Sequence, residues 1–224
     1  MQAQPIRTQT GQQGEFLLPA EGEDLVIVAA HKGYYNGRRF LASPTATAVI
    51  ELDRVSAFDD PDYDFVRPGE CGVCHPDQMR QWRDSPMART GNNPWVYDLF
   101  SGDGTVGGQA GFVYMRDSRL AQSDPASECT SCHQPEQWVQ QTGASLDAAG
   151  ALSEGALHGV SCDVCHKIAH IDETRTNYPG ISAAVTLSRP DRFGDQVQYG
   201  VLGDSSYDEY GDVMRASYQP QLTA

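Results

Sequence analysis

The sequence repeats one short pattern three times, as Cys71-Gly-Val-Cys74-His75, Cys129-Thr-Ser-Cys132-His133 and Cys162-Asp-Val-Cys165-His166. We refer to these stretches as motifs 1, 2 and 3. Each reads C-x-x-C-H, the spacing at which a c-type haem is attached. Two cysteines separated by two residues reach the two vinyl groups on one edge of a porphyrin and form thioethers. The histidine that follows lies under the ring, where its imidazole binds the iron. All six cysteines belong to these motifs, so the sequence predicts three covalently bound haems c.

Three other uses of paired cysteines explain the pattern less well. Two C-x-x-C pairs form a tetrahedral zinc site in many proteins, but zinc does not account for the histidine that follows every pair, and it leaves a third pair unused. A redox dithiol is expected to open a helix in a βαβ unit, and no such alternation is present. Disulfides closed within C-x-x-C loops would be strained and would constrain almost nothing.

The composition fits a protein whose core is partly made of porphyrin. The chain has 224 residues, enough for one or two domains, but only 39% of them are hydrophobic, and it is rich in Gly (22) and Pro (13). Bound haems would supply apolar surface that side chains otherwise provide. We therefore expect a mainly irregular and α-helical multihaem cytochrome c fold, with short helices after the motifs.

The charge of the chain restricts its partners. The net charge is −14, from 30 acidic and 16 basic residues, which excludes nucleic acid as a partner because phosphates require a basic face. A basic redox partner steered by charge is compatible with this value, and so is solubility alone. The sequence contains no apolar run of about 18 residues, so no transmembrane segment is predicted.

The predicted location is the periplasm or the extracellular space. Haem is normally attached to C-x-x-C-H outside the cytoplasm, so the chain is expected to be exported. The first residues, Met1-Gln-Ala-Gln-Pro-Ile-Arg7, contain no apolar signal core. We therefore expect that an export signal has been removed or that the chain is a segment of a longer product.

Three segments are predicted from local patterns. Residues 1–55 are β-rich, with apolar stretches at 24–30 and 45–52 that favour strands. Residues 56–70 form an acidic linker, and residues 71–224 form the three-haem domain. Directly after motif 1, Pro76 suits the first position of a helix.

Iron in an electron-carrying haem also needs a ligand on its second face. His170 lies four residues after His166. On a continuous helix both would share a face, about 6 Å apart, so His170 would have to serve another haem. Met87 lies twelve residues after His75, about 18 Å along a helix, and it too would serve another haem.

Two further histidines remain. His158 comes shortly before Cys162 and is tied too closely to reach around its own ring. His31 lies in the β-rich segment, away from the motifs in sequence. The candidate distal ligands are therefore His158, His170 and Met87, beside the proximal ligands His75, His133 and His166.

Residues 69–220 resemble multihaem c-type cytochromes of the tetrahaem cytochrome c and hydroxylamine oxidoreductase group. Motif 1 continues with Pro76, Trp82, Ser85 and Met87, as in the opening C-x-x-C-H-P-x-x-x-x-x-W-x-x-S-x-H/M of that group, and Gly159-Val-Ser-Cys-Asp-Val-Cys-His-Lys167 is similar to its G-V-x-C-x-x-C-H segment. Most members have histidine as a distal ligand at the last position of the opening. The resemblance therefore implies that Met87 is a ligand of a His/Met haem of higher potential, or that this face is open.

The β-rich segment resembles the end of a carboxypeptidase regulatory-like β-sandwich. The matching stretches are Gly14-Glu-Phe-Leu-Leu18, Val26-Ile-Val-Ala-Ala30, Gly33-Tyr34 and Val49-Ile-Glu-Leu52. The earlier strands of such a domain are missing. A partial sandwich has open edges, which implies an upstream part or a strand from a partner.

Electron transfer between redox partner proteins is the favoured function, and no catalytic residue is predicted. The alternative is a multihaem oxidoreductase that acts on a small nitrogen or sulfur compound at a haem with an open face. The lysine that replaces the proximal histidine in nitrite reductases is absent. A third possibility is a haem-bearing subunit that docks, through its β-rich segment, into a larger complex or filament, or that self-assembles.

Overall fold

A computed structural model of the chain describes residues 6–19, 21–43, 45–125, 128–141, 143–175, 184–191, 196–200 and 215–222. The chain divides into two compact units. The first comprises Met1–Ala57 and Asp195–Ala224, and the second is Phe58–Gly194. All three motifs lie in the second unit. The predicted domain of 71–224 therefore extends further at its C-terminal end than the second unit does.

The first unit contains a hairpin. Strand β1 (Leu25–Ala29) pairs antiparallel with β2 (Gly37–Leu41), so the strand predicted at 24–30 is present. The strand predicted at 45–52 is absent. Two apolar side chains of that stretch pack over β2 instead of pairing with an edge: a β-carbon on Gly37 would lie 2.7 Å from both Ile50 Cγ2 and Leu52 Cδ2.

The C-terminal residues belong to the first unit because they form structure with its beginning. A parallel pair joins β5 (Val197–Gly200) to β6 (Arg215–Tyr218). Ser217 forms a β-bridge with Tyr35, and its hydroxyl donates to the Tyr34 carbonyl at 2.9 Å.

The second unit is built from short helices. Proline occupies the start of four of the described α-helices, where a backbone N–H would have no helical partner and the fixed φ of proline suits the helix. The α-helices are α1 (Pro68–Cys74), α2 (Pro76–Arg83), α3 (Pro94–Phe100), α4 (Tyr114–Asp117), α5 (Cys129–His133), α6 (Pro135–Gln140), α7 (Glu154–His158) and α8 (Cys162–His166). The 3₁₀-helices are Pro86–Asn92, Gly108–Ala110 and Arg119–Gln122.

Short helices follow motifs 1 and 2, as predicted, but a strand follows motif 3. Strand β3 (Ile168–Ile171) pairs antiparallel with β4 (Val185–Leu187). Helix α8 ends at His166, and the next residue, Lys167, is buried and turns the chain into this strand. The helix considered for His166 and His170 is therefore not formed.

The described core of the second unit includes two clusters of buried apolar side chains. One cluster contains Tyr63, Phe65 and Val164, and another contains Tyr97, Phe100 and Leu146. Large apolar side chains remain in solvent, including Val73 of motif 1 at 81% exposure and Leu157 at 53%. The described helices include none that is long and apolar enough to cross a membrane.

Candidate haem-binding site

Each C-x-x-C-H motif forms a helical turn. Motifs 2 and 3 are helical from the first cysteine to the histidine, as α5 and α8. In motif 1 the helix ends at Cys74, and the His75 N–H donates to the Cys71 carbonyl at 2.9 Å. Because residues i, i+3 and i+4 of a helix share a face, each turn places two thiols and an imidazole on one side. This arrangement suits attachment of a porphyrin edge and ligation of its iron.

Motif 2 borders an open cavity of ≈ 440 Å³. A cavity of this volume falls within the range of about 300–1,000 Å³ that holds small molecules and cofactors. Both cysteines of the motif and its histidine line it, together with mostly apolar surface. The lining residues are Tyr114, Ser118, Leu120, Glu128, Cys129, Cys132 and His133.

Burial affects the protonation of the histidine in motif 2. His133 is half-buried, and burial lowers its pKa, opposed only in part by the Thr90 backbone. This shift favours the neutral ring, the form in which histidine binds iron. His75 and His166 are exposed.

A buried carboxylate connects motif 3 to the segment before motif 1. Asp163 lies between the two cysteines of motif 3, and its Oδ2 accepts from the Tyr63 hydroxyl at 2.9 Å and the Val66 N–H at 2.8 Å. Its Oδ1 accepts from Lys167 Nζ at 2.7 Å, and both charged side chains are 0% exposed. Burial and the Asp163 charge raise the pKa of Tyr63, so the phenol remains a donor.

The first cysteines of motifs 1 and 3 are neighbours. A hydrogen bond between the two thiols raises the pKa of Cys71 and lowers the pKa of Cys162 to about 7. A second link joins the same regions, because Trp82 Nε1 donates to the Val160 carbonyl at 2.7 Å.

Within the described residues, no three His, Cys, Asp or Glu side chains converge as a metal site requires.

A buried amide anchors motif 2. Gln134 directly follows its histidine, and Gln134 Nε2 donates to the Gly91 carbonyl at 2.9 Å and to the Tyr97 hydroxyl at 2.8 Å. Its Oε1 accepts from the Asp147 N–H at 2.9 Å. These bonds attach motif 2 to the 3₁₀-helix Pro86–Asn92, which also carries Met87.

His158 is fixed by a carboxylate. It ends α7, and its Nδ1 lies 3.0 Å and 3.2 Å from the two oxygens of Glu136, on α6. The side chains are 16% and 5% exposed, respectively. Burial raises the pKa of Glu136, and hydrogen bonds from Ser161 and His158 oppose this shift. With Nδ1 engaged, Nε2 is the ring atom left to bind a metal.

The other candidate ligands occupy different surroundings. His170 is exposed on β3, opposite Thr186. Met87 is 55% exposed, and its carbonyl accepts from the Val160 N–H at 3.0 Å. His31 lies in the first unit, where its Nδ1 is 2.9 Å from the Lys32 carbonyl.

The structure brings in residues that the sequence analysis did not select. Asp163 and Lys167 are four residues apart, so an i,i+4 pair that starts in motif 3 was visible in principle. Gln134 and Glu136 follow motif 2 closely, but their partners are distant in sequence, and no local pattern indicates them.

The comparisons with known proteins bear on the second and third motifs. Residues 109–167, about a quarter of the chain, match the family model described as cytochrome c554 and c-prime. This segment contains motifs 2 and 3, and motif 1 lies outside it. No curated protein and no solved structure matches the chain. The match supports a c-type cytochrome with covalently bound haem c and a general role in electron transfer.

Proposed function

We propose that this c-type cytochrome is an electron-transfer protein with one haem at each of its three motifs. The covalent links would be made by Cys71 and Cys74, by Cys129 and Cys132, and by Cys162 and Cys165, with His75, His133 and His166 as proximal ligands. A bound haem c supplies an iron that gains and loses one electron. The observation that carries the proposal is that three helical C-x-x-C-H turns occur in one compact unit, Phe58–Gly194.

The packing of the turns supports a relay within this unit. Electron transfer between two haems requires their edges to be close. The thiols of Cys71 and Cys162 are in contact, so groups attached to motifs 1 and 3 would be neighbours. Motif 2 is linked to the segment before motif 3 through the Glu136–His158 contact.

Closed iron faces distinguish a relay from an enzyme, because a catalytic haem needs an open position. His158, His170 and Met87 are the proposed distal ligands. His158 is the best supported, since its ring is nearly buried and already oriented. His170 and Met87 are exposed and can approach a haem attached to another turn.

The same proposal has consequences for the cellular location of the protein and for its partners. We propose a periplasmic or extracellular location, because haem is normally attached to C-x-x-C-H outside the cytoplasm. Its net charge of −14 favours a redox partner with a basic face, whose association rate would fall as salt is added. A larger cytochrome complex or self-assembly is compatible with this role.

The test is to express the chain with a haem-attachment system, then to measure haem by the pyridine haemochrome method and intact mass. We expect three haems per chain. Changing Cys71 and Cys74 to serine together should give two, and the equivalent pairs in motifs 2 and 3 should do the same. A chain without haem, or a count that no cysteine pair changes, would overturn the proposal.

Spectra of the same protein separate the relay from the oxidoreductase. A relay should show only low-spin haem and no reaction with carbon monoxide. A high-spin, carbon-monoxide-binding haem would instead favour the oxidoreductase that acts on a small nitrogen or sulfur compound.

A further inference from the structure

Glu136 is a buried carboxylate outside the C-x-x-C-H motifs. Its side chain is 5% exposed. A carboxylate is rarely buried unless it is paired and hydrogen-bonded, because removing its charge from water is costly. The partners of this one are the His158 ring and the Ser161 hydroxyl.

The surroundings hold the Glu136 side chain in one place. Gly155, on α7, approaches so closely that a β-carbon there would lie 3.2 Å from both Cβ and Oε2 of Glu136. Ser161 has a second fixed role, because it is the N-cap residue of α8. The carboxylate therefore lies between α6, α7 and the start of α8, in contact with the His158 ring.

The contact with His158 has the geometry of an oriented metal ligand. Both carboxylate oxygens lie within hydrogen-bond distance of the same ring nitrogen, at 3.0 and 3.2 Å. Histidines that bind metals generally donate their other ring N–H to a carboxylate or carbonyl, which fixes the tautomer and raises the basicity of the coordinating nitrogen. In this tautomer the lone pair that a metal would bind is on Nε2 of His158.

We propose that Glu136 is a positioning residue for an iron ligand: it accepts the Nδ1–H of His158 and so presents Nε2 to the iron. The inference rests on the proposed function, because it requires His158 to bind a haem. A more basic imidazole stabilises oxidised iron. Glu136 therefore lowers the reduction potential of the haem that His158 serves.

The test uses the full chain with its haems and two substitutions. Glu136→Gln keeps an acceptor of similar shape but replaces a charge-assisted hydrogen bond with a weaker neutral one. Glu136→Leu removes the acceptor. The matched control is Glu154→Gln, which removes a carboxylate from the same helix as His158, where Glu154 is 59% exposed and pairs with Arg67. The measurements are haem count, spectroelectrochemical titration and carbon monoxide binding.

We expect Glu136→Gln to shift one of the potentials upward while all haems stay attached and low-spin. Glu136→Leu should shift the same potential at least as far, or convert part of that haem to a carbon-monoxide-binding form. Glu154→Gln should move no single haem selectively. If Glu136→Gln shifts no potential more than Glu154→Gln does, the inference is overturned.

His158→Ala separates this failure from failure of the proposed function. If the alanine variant exposes one haem to carbon monoxide while Glu136→Gln changes no reduction potential, only the positioning role is wrong. If His158→Ala leaves every haem low-spin and closed, His158 is not a ligand, and the inference fails while electron transfer stands. If the unmodified chain carries no haem, the proposed function itself fails.

Discussion

Replacement of Asp163 by alanine should strongly destabilise the second unit. Asp163 forms an ion pair with Lys167, and both side chains are 0% exposed. Removing one partner of a buried ion pair costs about 3–5 kcal/mol, because the other charge is left buried without compensation. The Tyr63 hydroxyl and the Val66 N–H would also lose their acceptor, at 2.9 and 2.8 Å.

These losses do not add, because the groups share one site and Lys167 can release its proton. We therefore expect a decrease of about 3–5 kcal/mol in the free energy of unfolding. The assay is urea unfolding of the haem-loaded protein at pH 7, followed by far-ultraviolet circular dichroism. With a slope of about 2 kcal/mol per M, the midpoint should fall by roughly 2 M.

Two companion variants test the reason for the loss. Asp163→Asn keeps an acceptor for Tyr63 and should cost less than alanine. The double variant Asp163→Leu with Lys167→Met removes both charges and should be more stable than Asp163→Ala, since apolar replacement of a whole buried pair is often tolerated. A loss below about 1 kcal/mol for Asp163→Ala would refute the reasoning. So would a double variant whose loss of stability equals the sum of the losses of its two single substitutions.

Three further predictions follow from other contacts. Gly159→Ala should cost about 1–3 kcal/mol in urea unfolding, because φ is +59° and a β-carbon would collide with the Met87 carbonyl, so an unchanged midpoint would contradict this contact. Met87→His should lower the potential of one haem, and an unchanged redox titration would remove Met87 as a ligand. Burial raises the pKa of Asp59, but its bonds to Arg189 outweigh this and keep the pKa below its ordinary value. The stabilisation is therefore present above the unfolded pKa of about 3.9 and is lost as pH falls through the lower folded value. Asp59→Asn should accordingly lower the urea midpoint near neutral pH, with the difference from the parent shrinking in acid, whereas a constant difference would exclude this linkage.

Features that depend on neighbouring residues could be predicted from the sequence. Pro76 predicted the start of α2 correctly. The hairpin strand at 24–30 was also predicted, because its apolar run is short and bounded by turn residues. Features of this kind depend on residues a few positions apart.

Features that depend on partners far apart in the sequence could not be predicted. Residues 45–52 alternate as a strand does, yet Ile50 and Leu52 pack on Gly37, and that packing replaces strand pairing. His170 follows motif 3 at a helical spacing, but the chain turns into β3 first. Glu136 gave no signal, because its partner lies 22 positions away.

The spacer residues of the motifs have a consequence for proteins with several identical attachment sites. The attachment chemistry uses only the cysteines and the histidine, so the two residues between the cysteines are free to differ. Here they do: Gly72 lies against Met79, Thr130 is fully buried, and Asp163 accepts bonds from the segment before motif 1. Exchanging the spacers of motifs 1 and 3 would preserve both attachment sites while moving that acceptor to the wrong turn. The positions that a pattern search treats as wildcards thus give each of the three turns its own packing contacts.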